Sequence, residues 1–533
     1  MNKIFGKNRS LLAIIISIGM LNLLPLNGQN LDFKRYSSTN IENSDAYMVG
    51  NIYQKDLLLF IDILKECHPA FSTGLNAPFK IDSIKQEGYQ WAYKCQSIMH
   101  LNSYLQSIAS LLNDGHTSLI PDFGNSLFYP FTYFNDNQNI YLKAINKESA
   151  SFLGKQISQI NRRPVLEVIN SFRNAISFDN EVCFLNRINN QIQIHSMWKN
   201  NPYCLSDSSL LLTFSDSTNV LLRPISKKEF NIVWLQPKNQ TNPIRQNTKH
   251  PFQYKLLLEE NICYFQFNSC SDQSTLRYKY FMDKTSNISE EDFEKELSKI
   301  PRFDAFLSEM FQTIQANQIK TLVIDVRANG GGNSKLCDVL LSWLKPQKYI
   351  KSGSGSIRIS KFWEQHYPAL IADYTQAFAE RQQPYEMGRL YPDSLLPKEK
   401  ISVLKTIDKY FLLNKDKNKI FKGNIVFIQD ENTYSSAGLL ITSAKDNNIG
   451  IVIGSESSYK PCDYGDALAW ELPNTKIRGI VSHQIFNRPD ISKCNEPALI
   501  PNIHMEPTWR DILENKDICW EWILKHYGNY KSL

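Results

Sequence analysis

The chain has 533 residues, a formal net charge of +6 and 42% hydrophobic residues. Its length exceeds that of a typical single domain, and its apolar content is sufficient for a sizeable core. Lysine and arginine are scattered without a dense basic tract, so the composition argues against a nucleic-acid partner.

The first segment has the pattern of a secretory signal peptide. A head with three basic residues precedes an apolar run, Leu11–Leu26, and the small residue Gly28 follows. We therefore predict a signal peptide over residues 1–28, export to the periplasm or the extracellular space, and no stable membrane insertion after its removal. An uncleaved anchor is the alternative, although the run is short and interrupted by Pro25.

The ten cysteines do not form a CxxC pair or a His/Cys cluster with zinc-like spacing. We therefore predict no metal site. Export permits disulfides, and the possible pairs are Cys183 with Cys204 and Cys462 with Cys494.

Hydrophobic periodicity divides the remaining chain into three predicted domains. Helix-period apolar positions predict a helical N-terminal domain over residues 29–123, and short β-rich runs predict a second domain over residues 124–250. Alternating strands and helices predict an α/β catalytic domain over residues 251–533, with an aromatic-rich insertion at about 348–422 that could cover the site. The predicted fold class is therefore α/β and multidomain.

In the β-rich domain, the stretch from Leu153 to Val168 resembles the peptide-binding-loop half of a PDZ domain, in which a strand precedes a turn and a helix. A generic β-rich insert is the alternative.

The α/β region is predicted to contain an amphipathic helix over Phe303–Ala316 and a buried strand of parallel-sheet type over Thr321–Asp325. Further strands are predicted over Ile425–Ile428 and Ile449–Ile453.

A serine pair lies between a predicted strand and a predicted helix, in the run Thr433-Tyr-Ser-Ser-Ala-Gly438. On such a bend the hydroxyl of Ser435 can project from a tight turn, beside the free amides of the helix N-terminus. Serines are also common as ordinary helix caps, so this run indicates a nucleophile only when neighbouring motifs support it.

Two further motifs favour a nucleophilic site. Three glycines, Gly330–Gly332, directly follow the strand that ends at Asp325, and unobstructed glycine amides suit an oxyanion site. Lys460 follows another strand, and it could act as a general base if partial desolvation lowered its pKa from about 10.4.

His116 lies in the run Asp114-Gly-His-Thr117, at the end of the helical domain. The glycine turn can expose its ring, so His116 could polarise the serine directly or shape the cleft.

Together these motifs resemble the C-terminal processing, or tail-specific, serine peptidase family. Its motif Asp-Leu-Arg-x-Asn-x-Gly-Gly is matched by Asp325–Gly332, its Thr-x-Ser by Thr433–Ser435, and its Gly-Glu-x-Thr-x-Gly-Lys loosely by Gly454–Lys460. Leu472-Pro473 and Leu499–Asn502 resemble two further elements of the family.

The resemblance implies a crotonase-like α/β catalytic domain with Ser435 as nucleophile and Lys460 as general base. The backbone amides of Gly331 and Ser436 would hold the oxyanion, and an acyl-enzyme would form and be hydrolysed by water. No cofactor is implied. A related branch, the tricorn-type peptidases, uses an upstream histidine and a later glutamate, where His116 and Glu496 stand, and this alternative stays open.

The chain departs from the family pattern at several positions. The family's glutamate three residues after the serine is Gly438, its glycine before the lysine is Tyr459, and Tyr464 stands where a polar residue commonly steadies the lysine. These departures bear more on the role of Lys460 than on that of Ser435.

The sequence therefore predicts an exported serine endopeptidase that cleaves unfolded or C-terminal segments of exported proteins. Its partner would be a polypeptide substrate, and its oligomeric state is not predicted. A catalytically silent protein that binds peptides or a hydrophobic ligand is the main alternative. An acyl-transferring enzyme of crotonase-like fold is a further alternative, but the sequence suggests no coenzyme A pocket.

Overall fold

The computed structural model describes most of the chain beyond residue 31. The described residues are 32–73, 75–120, 126–226, 228–229, 231–237, 244–246, 250–282, 289–396 and 410–529. The signal peptide predicted for residues 1–28 lies outside them. Within these ranges, no helix is both long and apolar enough to cross a bilayer.

The N-terminal region consists mainly of helices. Its elements are β1 (Lys34–Arg35), α1 (Thr39–Glu42), α2 (Asp45–Val49), α3 (Ile52–Cys67), α4 (Ile81–Tyr93), α5 (Ile98–Ser110) and β2 (Ser118–Leu119). A capping box begins α3, because the Asn51 side chain accepts from the Gln54 amide while the Gln54 side chain accepts from the Asn51 amide. The apolar residues of α3, including Leu57, Phe60 and Leu64, are buried.

The β-rich region forms a seven-stranded antiparallel sheet, a short two-stranded sheet and three helices. Its elements are β3 (Leu127–Phe128), β4 (Phe131–Asp136), β5 (Asn139–Asn146), β6 (Gln156–Ile160), β7 (Arg163–Pro164), α6 (Val165–Asn170), α7 (Glu181–Gln191), α8 (His195–Trp198), β8 (Leu210–Phe214), β9 (Asn219–Leu222), β10 (Ile225–Ser226) and β11 (Ile232–Trp234). The larger sheet has the order β11-β5-β6-β8-β9, with β4 paired to β5 and β7 paired to β6. Phe184, Trp198 and Phe214 lie in a core that belongs to this region alone.

The α/β region contains the remaining elements. They are β12 (Phe252–Leu257), β13 (Ile262–Phe267), α9 (Gln273–Met282), α10 (Glu290–Leu297), α11 (Phe303–Ala316), β14 (Thr321–Asp325), α12 (Lys335–Leu344), β15 (Ser354–Arg358), α13 (Lys361–His366), α14 (Ile371–Glu380), β16 (Leu390–Pro392), β17 (Asn424–Gln429), α15 (Ser436–Asp446), β18 (Ile451–Gly454), β19 (Asp463–Glu471), β20 (Arg478–Asn487), β21 (Ile503–His504), α16 (Trp509–Glu514) and α17 (Ile518–Tyr527). The helix predicted over Phe303–Ala316 and the strand predicted over Thr321–Asp325 are both observed, as α11 and β14.

The central sheet has the order β12-β13-β14-β17-β18-β21, and all its pairings are parallel except that of β12 with β13. Both of its faces are covered. Leu322 and Ile324 of β14 point into one core, while Val323 between them points into another that α17 completes with Cys519 and Ile523. Burial on both faces explains why these strands are continuous apolar runs in the sequence.

A second sheet joins segments that are far apart in the chain. Its order is β1-β19-β20-β15-β16, and β2 pairs with β20. Strands β1 and β2 come from the N-terminal region, and β15 and β16 come from the predicted insertion. The N-terminal helices also share one continuous hydrophobic core with the α/β region. The predicted insertion therefore contributes strands to the body of the fold, and the boundaries of the predicted domains remain predictions.

The first two charged residues of the Asp325–Gly332 motif have a structural role. Asp325 is fully buried, and its carboxylate accepts hydrogen bonds from Tyr264 and Arg327. Arg327 also pairs with Asp517, which caps the N-terminus of α17. Although burial alone would raise the pKa of Asp325, Arg327 and Arg245 lower it to about 2. This ion-pair network ties the last helix to the loop after β14.

We expect Arg327→Met to lower the free energy of unfolding by about 3 kcal/mol, because it removes one partner of a buried ion pair and leaves the carboxylate of Asp325 short of donors. Thermal unfolding of the purified variant measures this loss. The matched control is Arg389→Met, whose partner Glu386 is exposed, and it should change stability little. An equal loss in the free energy of unfolding in the two variants would contradict a structural role for the Asp325–Arg327 pair.

Candidate active site

The candidate site lies at the carboxyl ends of β14, β17 and β18, where the crevices of open parallel sheets bind their ligands. The glycine loop (Gly330–Gly332) follows β14, and the serine pair (Ser435 and Ser436) follows β17. The segment leading to Lys460 follows β18. The register of these neighbouring strands therefore brings together three of the motifs predicted from the sequence.

Ser435 has an unusual backbone conformation. It caps α15 with φ +52° and ψ −124°, a region that residues other than glycine rarely occupy. Its side chain is half-buried, and its hydroxyl makes no hydrogen bond to any residue that the structure describes. A strained serine at a strand-to-helix turn with an unengaged hydroxyl is the geometry of a nucleophile.

The glycine loop packs directly on the backbone of the serine turn. Gly331 has φ +99°, and a Cβ there would lie 2.7 Å from Ser435 Cβ and 2.9 Å from the Ser436 nitrogen. The Tyr434 amide donates to the Asn329 carbonyl at 3.0 Å, and Ser436 Oγ donates to the Gly332 carbonyl at 2.7 Å. Only glycine fits at position 331, because any side chain would collide with the serine turn.

The two backbone amides predicted to hold the oxyanion lie side by side but differ in their hydrogen bonding. Ser436 is the first residue of α15, so its amide is one of those without a partner inside the helix. The Gly331 amide instead donates to the buried Asn329 Oδ1 at 2.9 Å. The Ser436 amide has no hydrogen-bond partner in the described part of the chain, so an oxyanion could take this donor, whereas it would share the Gly331 donor with Asn329.

His116 is brought against the residue that precedes Ser435. Its ring stacks on that of Tyr434 with centroids 4.7 Å apart, and its Nδ1 lies 3.1 Å from Tyr434 Oη. His116 is 9% exposed, and its Nε2 is buried without a hydrogen-bond partner among the described residues. The nearest carboxylate is that of Asp114, with Oδ1 3.8 Å from Nδ1.

Asp114 is held by several donors at once. His68, Thr117 and Ser482 contact its Oδ2, and the His116 amide donates to its Oδ1. Burial would raise the pKa of Asp114, but the hydrogen bond from His68 and the histidine charges lower it below its usual range. Asp114 is therefore a carboxylate at neutral pH.

Lys460 and Glu496 are placed differently from His116. Lys460 is half-buried and makes no hydrogen bond or ion pair within the part of the chain that the structure describes. Glu496 pairs with Arg488 at 2.5 Å, and no contact joins it to His116. The buried Arg488 also pairs with Asp446, at the end of α15.

Of the two disulfides considered possible, Cys462–Cys494 is present and closes the segment that contains β19 and β20. Cys183 and Cys204 are free thiols, so that pairing is wrong. Cys183 lies on α7 and is buried in the continuous core, whereas Cys204 packs at the edge of the separate core of the β-rich region.

Two departures from the family motifs are in contact. A Cβ on Gly438 would lie 2.3 Å from the ring of Tyr459, and Tyr459 is 2% exposed. The ring thus fills the space that a side chain at position 438 would need. Gly438 and Tyr459 therefore fit against each other, a relation that the two motifs do not reveal when each is read alone.

A buried polar cluster behind Tyr434 was not predicted. It contains Asp179 and Arg187 from the β-rich region and Asp463 from β19. Arg187 donates to the carbonyls of Gly115 and Ser177, and the Gly115 amide donates to Asp179 Oδ1. These residues come from unrelated parts of the sequence, so no local pattern could have grouped them.

The carboxyl groups of Asp179 and Asp463 face one another inside this cluster. Each has an Oδ2 atom that is buried without a hydrogen-bond partner among the described residues. Burial and the nearby Asp179 carboxyl raise the pKa of Asp463 well above its usual range. One proton held between the two carboxyl groups would satisfy both orphaned oxygens.

Asp114, His116 and Asp179 could each offer an atom to a metal ion, since these atoms lie within 4.8 Å of one another. The donors that already surround Asp114 account for its position without an ion. We therefore assign no metal to this cluster.

The raised pKa of Asp463 makes stability depend on pH in a defined direction. The folded protein keeps a proton that the unfolded chain releases above the ordinary aspartate pKa of about 3.9. The free energy of unfolding should therefore fall as pH rises from there toward the raised pKa of the folded state, by up to about 1.4 kcal/mol per pH unit. Asp463→Asn should flatten this dependence in urea unfolding measured across pH.

The control for the Asp463 measurement is Asp45→Asn, at an exposed aspartate in the first turn of α2. A pH dependence that is the same in Asp463→Asn and in the wild type would contradict a proton held on this pair.

The contact between Gly438 and Tyr459 predicts a specific rescue. Gly438→Ala should destabilise the protein by about 1–3 kcal/mol, because it overpacks a buried ring. Adding Tyr459→Gly should then cost less than the sum of the two single changes, since the methyl group enters the vacated space. Thermal unfolding of the two single variants and the double variant measures the coupling, and simple additivity would disprove the compensation.

Residues 291–462, which include the glycine loop, the serine turn and Lys460, match the model of peptidase family S41. No curated protein matches the chain significantly.

Among solved structures, a CPAF mutant with a serine replaced by alanine is similar over 90% of this chain and 98% of its own, with 12% identity and a TM-score of 0.57. Mature CPAF is similar over 87% of this chain and 94% of its own, with 14% identity and a TM-score of 0.55. Mature CPAF complexed with lactacystin covers 86% and 95%, with 11% identity and a TM-score of 0.54.

The structural likeness shows a common mixed α/β, multidomain fold. The family match covers the part of the chain that carries the serine turn and the glycine loop. Over residues 291–462 the chain is similar to the serine-type peptidases of family S41, the C-terminal processing family that its motifs resemble.

Proposed function

We propose that the chain is an exported serine endopeptidase that cleaves unfolded or C-terminal segments of exported proteins through an acyl-enzyme on Ser435. The observation that carries this proposal is the strained Ser435 turn, packed on a glycine loop beside the free Ser436 amide. A nucleophilic hydroxyl and an oxyanion donor on the same turn are the minimum for acyl transfer.

In the first step, Ser435 Oγ attacks the peptide carbonyl carbon while a base takes the hydroxyl proton. The carbonyl oxygen gains negative charge and is held by the amides of Ser436 and Gly331, the latter shared with Asn329. The base then gives its proton to the leaving amine, and the peptide bond breaks. Water, activated by the same base, hydrolyses the ester and restores Ser435.

We propose His116 as this base. It stacks on Tyr434, the neighbour of Ser435, and its Nε2 is buried with no competing partner among the described residues. A lysine base must be neutral, which requires removal from water, whereas Lys460 is half-buried and has no partner in the described structure. The motif order alone favours Lys460, so the two assignments need a direct test.

The proposal also includes export of the protein, a role for the β-rich region and the type of catalytic domain. The predicted signal peptide over residues 1–28 supports export, and the Cys462–Cys494 disulfide is compatible with an oxidising compartment. We propose a PDZ-like role in capturing polypeptide for the β-rich region, since β6, a turn at Asn161 and α6 follow one another as in the predicted stretch. The parallel central sheet is compatible with a crotonase-like catalytic domain.

We expect Ser435→Ala to reduce the cleavage of an unfolded protein such as casein by at least about 10³-fold, because the nucleophile is lost. His116→Ala should cause a loss of similar size, whereas Lys460→Ala should stay within about threefold of the wild type. Steady-state kinetics on a fluorogenic peptide measures all three variants, with the exposed Lys476→Ala as control.

Full activity of Ser435→Ala would contradict the assignment of the nucleophile. Loss of activity in Lys460→Ala with retention in His116→Ala would move the base to Lys460. Peptide binding by the wild-type protein without any cleavage would favour the silent binding protein.

A further inference from the structure

Two buried thiols lie next to the candidate site, and no step of the proposed mechanism uses them. Cys270 follows the end of β13, and Cys337 lies in the first turn of α12. Both thiols are free, and the exposed fractions of the two residues are 0% and 3%. Their Sγ atoms are 3.8 Å apart. A modest movement would bring them to bonding distance, since an S–S bond is about 2.05 Å long.

Cys270 supports the glycine loop through its backbone. Its amide donates to the Gly331 carbonyl at 3.0 Å, and its carbonyl accepts from the Asn333 amide at 2.8 Å. The two segments fit closely, because a Cβ on Gly332 would collide with the Cys270 carbonyl. A displacement of Cys270 would therefore displace the loop that carries the Gly331 amide.

Cys337 contacts the serine turn on the other side of this loop. Its Sγ donates to the Ser436 carbonyl at 3.2 Å. Ser436 is itself bonded to the glycine loop, since its Oγ donates to the Gly332 carbonyl at 2.7 Å. The thiol pair therefore touches both of the segments whose backbone amides are assigned to the oxyanion.

The two thiols are protonated in the folded protein. The hydrogen bond with Cys270, together with burial, raises the pKa of Cys337 well above its usual range. Thiols react with disulfides as thiolates, so we expect oxidation of the folded protein to be slow. The proposed export places the chain in an oxidising compartment, where disulfides form and persist.

We propose that Cys270 and Cys337 form a second, reversible disulfide with an oxidant of the disulfide class, and that this bond switches the peptidase off. One thiol of the pair loses its proton and attacks a sulfur of the oxidant, whose S–S bond breaks and releases one thiol. The other cysteine of the pair then attacks the mixed disulfide and releases the second thiol. The pair thereby loses two protons and two electrons, and the oxidant is reduced to two thiols.

The disulfide acts on the site in two ways. Closing the gap between the Sγ atoms draws Cys270 and the first turn of α12 toward each other, and it removes the S–H group that donates to the Ser436 carbonyl. A misplacement of about 1 Å at a reacting centre can cost about 10²-fold in rate. The effect on activity rests on the proposed function, whereas the formation of the bond does not.

The test is treatment of the purified protein with 2-hydroxyethyl disulfide, a small neutral oxidant. Proteolysis without reduction, followed by tandem mass spectrometry, should identify a peptide cross-linked between Cys270 and Cys337. We expect kcat on a fluorogenic peptide to fall at least about 10-fold in the cross-linked protein. Addition of 2-mercaptoethanol should reverse both changes.

The matched controls are two variants that each lack one buried thiol. Cys337→Ala cannot form the bond but keeps the Cys462–Cys494 disulfide, so the oxidant should leave its activity unchanged. Cys263→Ala removes a buried free thiol of β13 and should respond to the oxidant as the wild type does.

The inference fails if the cross-linked peptide is absent both from the treated folded protein and from protein refolded in the same oxidant. A cross-link with unchanged kcat would reject the switch, and so would an equal loss of activity in oxidised Cys337→Ala. Failure of the proposed function has a different signature, namely full activity of Ser435→Ala in the absence of oxidant.

Discussion

The contact of Gly331 with the backbone of Ser435 and Ser436 is the constraint on which the site depends. A Cβ on Gly331 would lie 2.7 Å from Ser435 Cβ, so the two backbones touch and leave no space for a side chain. The glycine loop and the serine turn therefore fit only in one arrangement. Hydrogen bonds from Tyr434 and Ser436 to that loop keep the two segments together. The strained conformation of Ser435 persists because these contacts on both sides hold it in place.

Much of this arrangement could be predicted from local sequence. The strand over Thr321–Asp325 is an uninterrupted apolar run, and the helix over Phe303–Ala316 has a clear 3.6-residue period, so both were predicted with the observed limits. The turn at Ser435 follows from small residues between a strand and a helix. These features depend on neighbours in the chain, which are visible in the sequence.

Other features depend on residues that meet only after folding. The exchange at Gly438 is understandable only once Tyr459 is seen above it. Asp179, Arg187 and Asp463 carry no motif, and they become a cluster because the β-rich region packs behind Tyr434. The sequence did not predict that strands of the insertion would join a sheet with β20. Strand pairing over long distances leaves no periodic signal in either partner.

The second sheet and the last ion pair set the order in which the site can be completed. His116 is made early by the ribosome, Ser435 late, and Asp517, which secures the loop after β14 through Arg327, later still. The candidate site can therefore be completed only after almost all of the chain has been synthesised, because the ion pair that secures the loop after β14 needs Asp517.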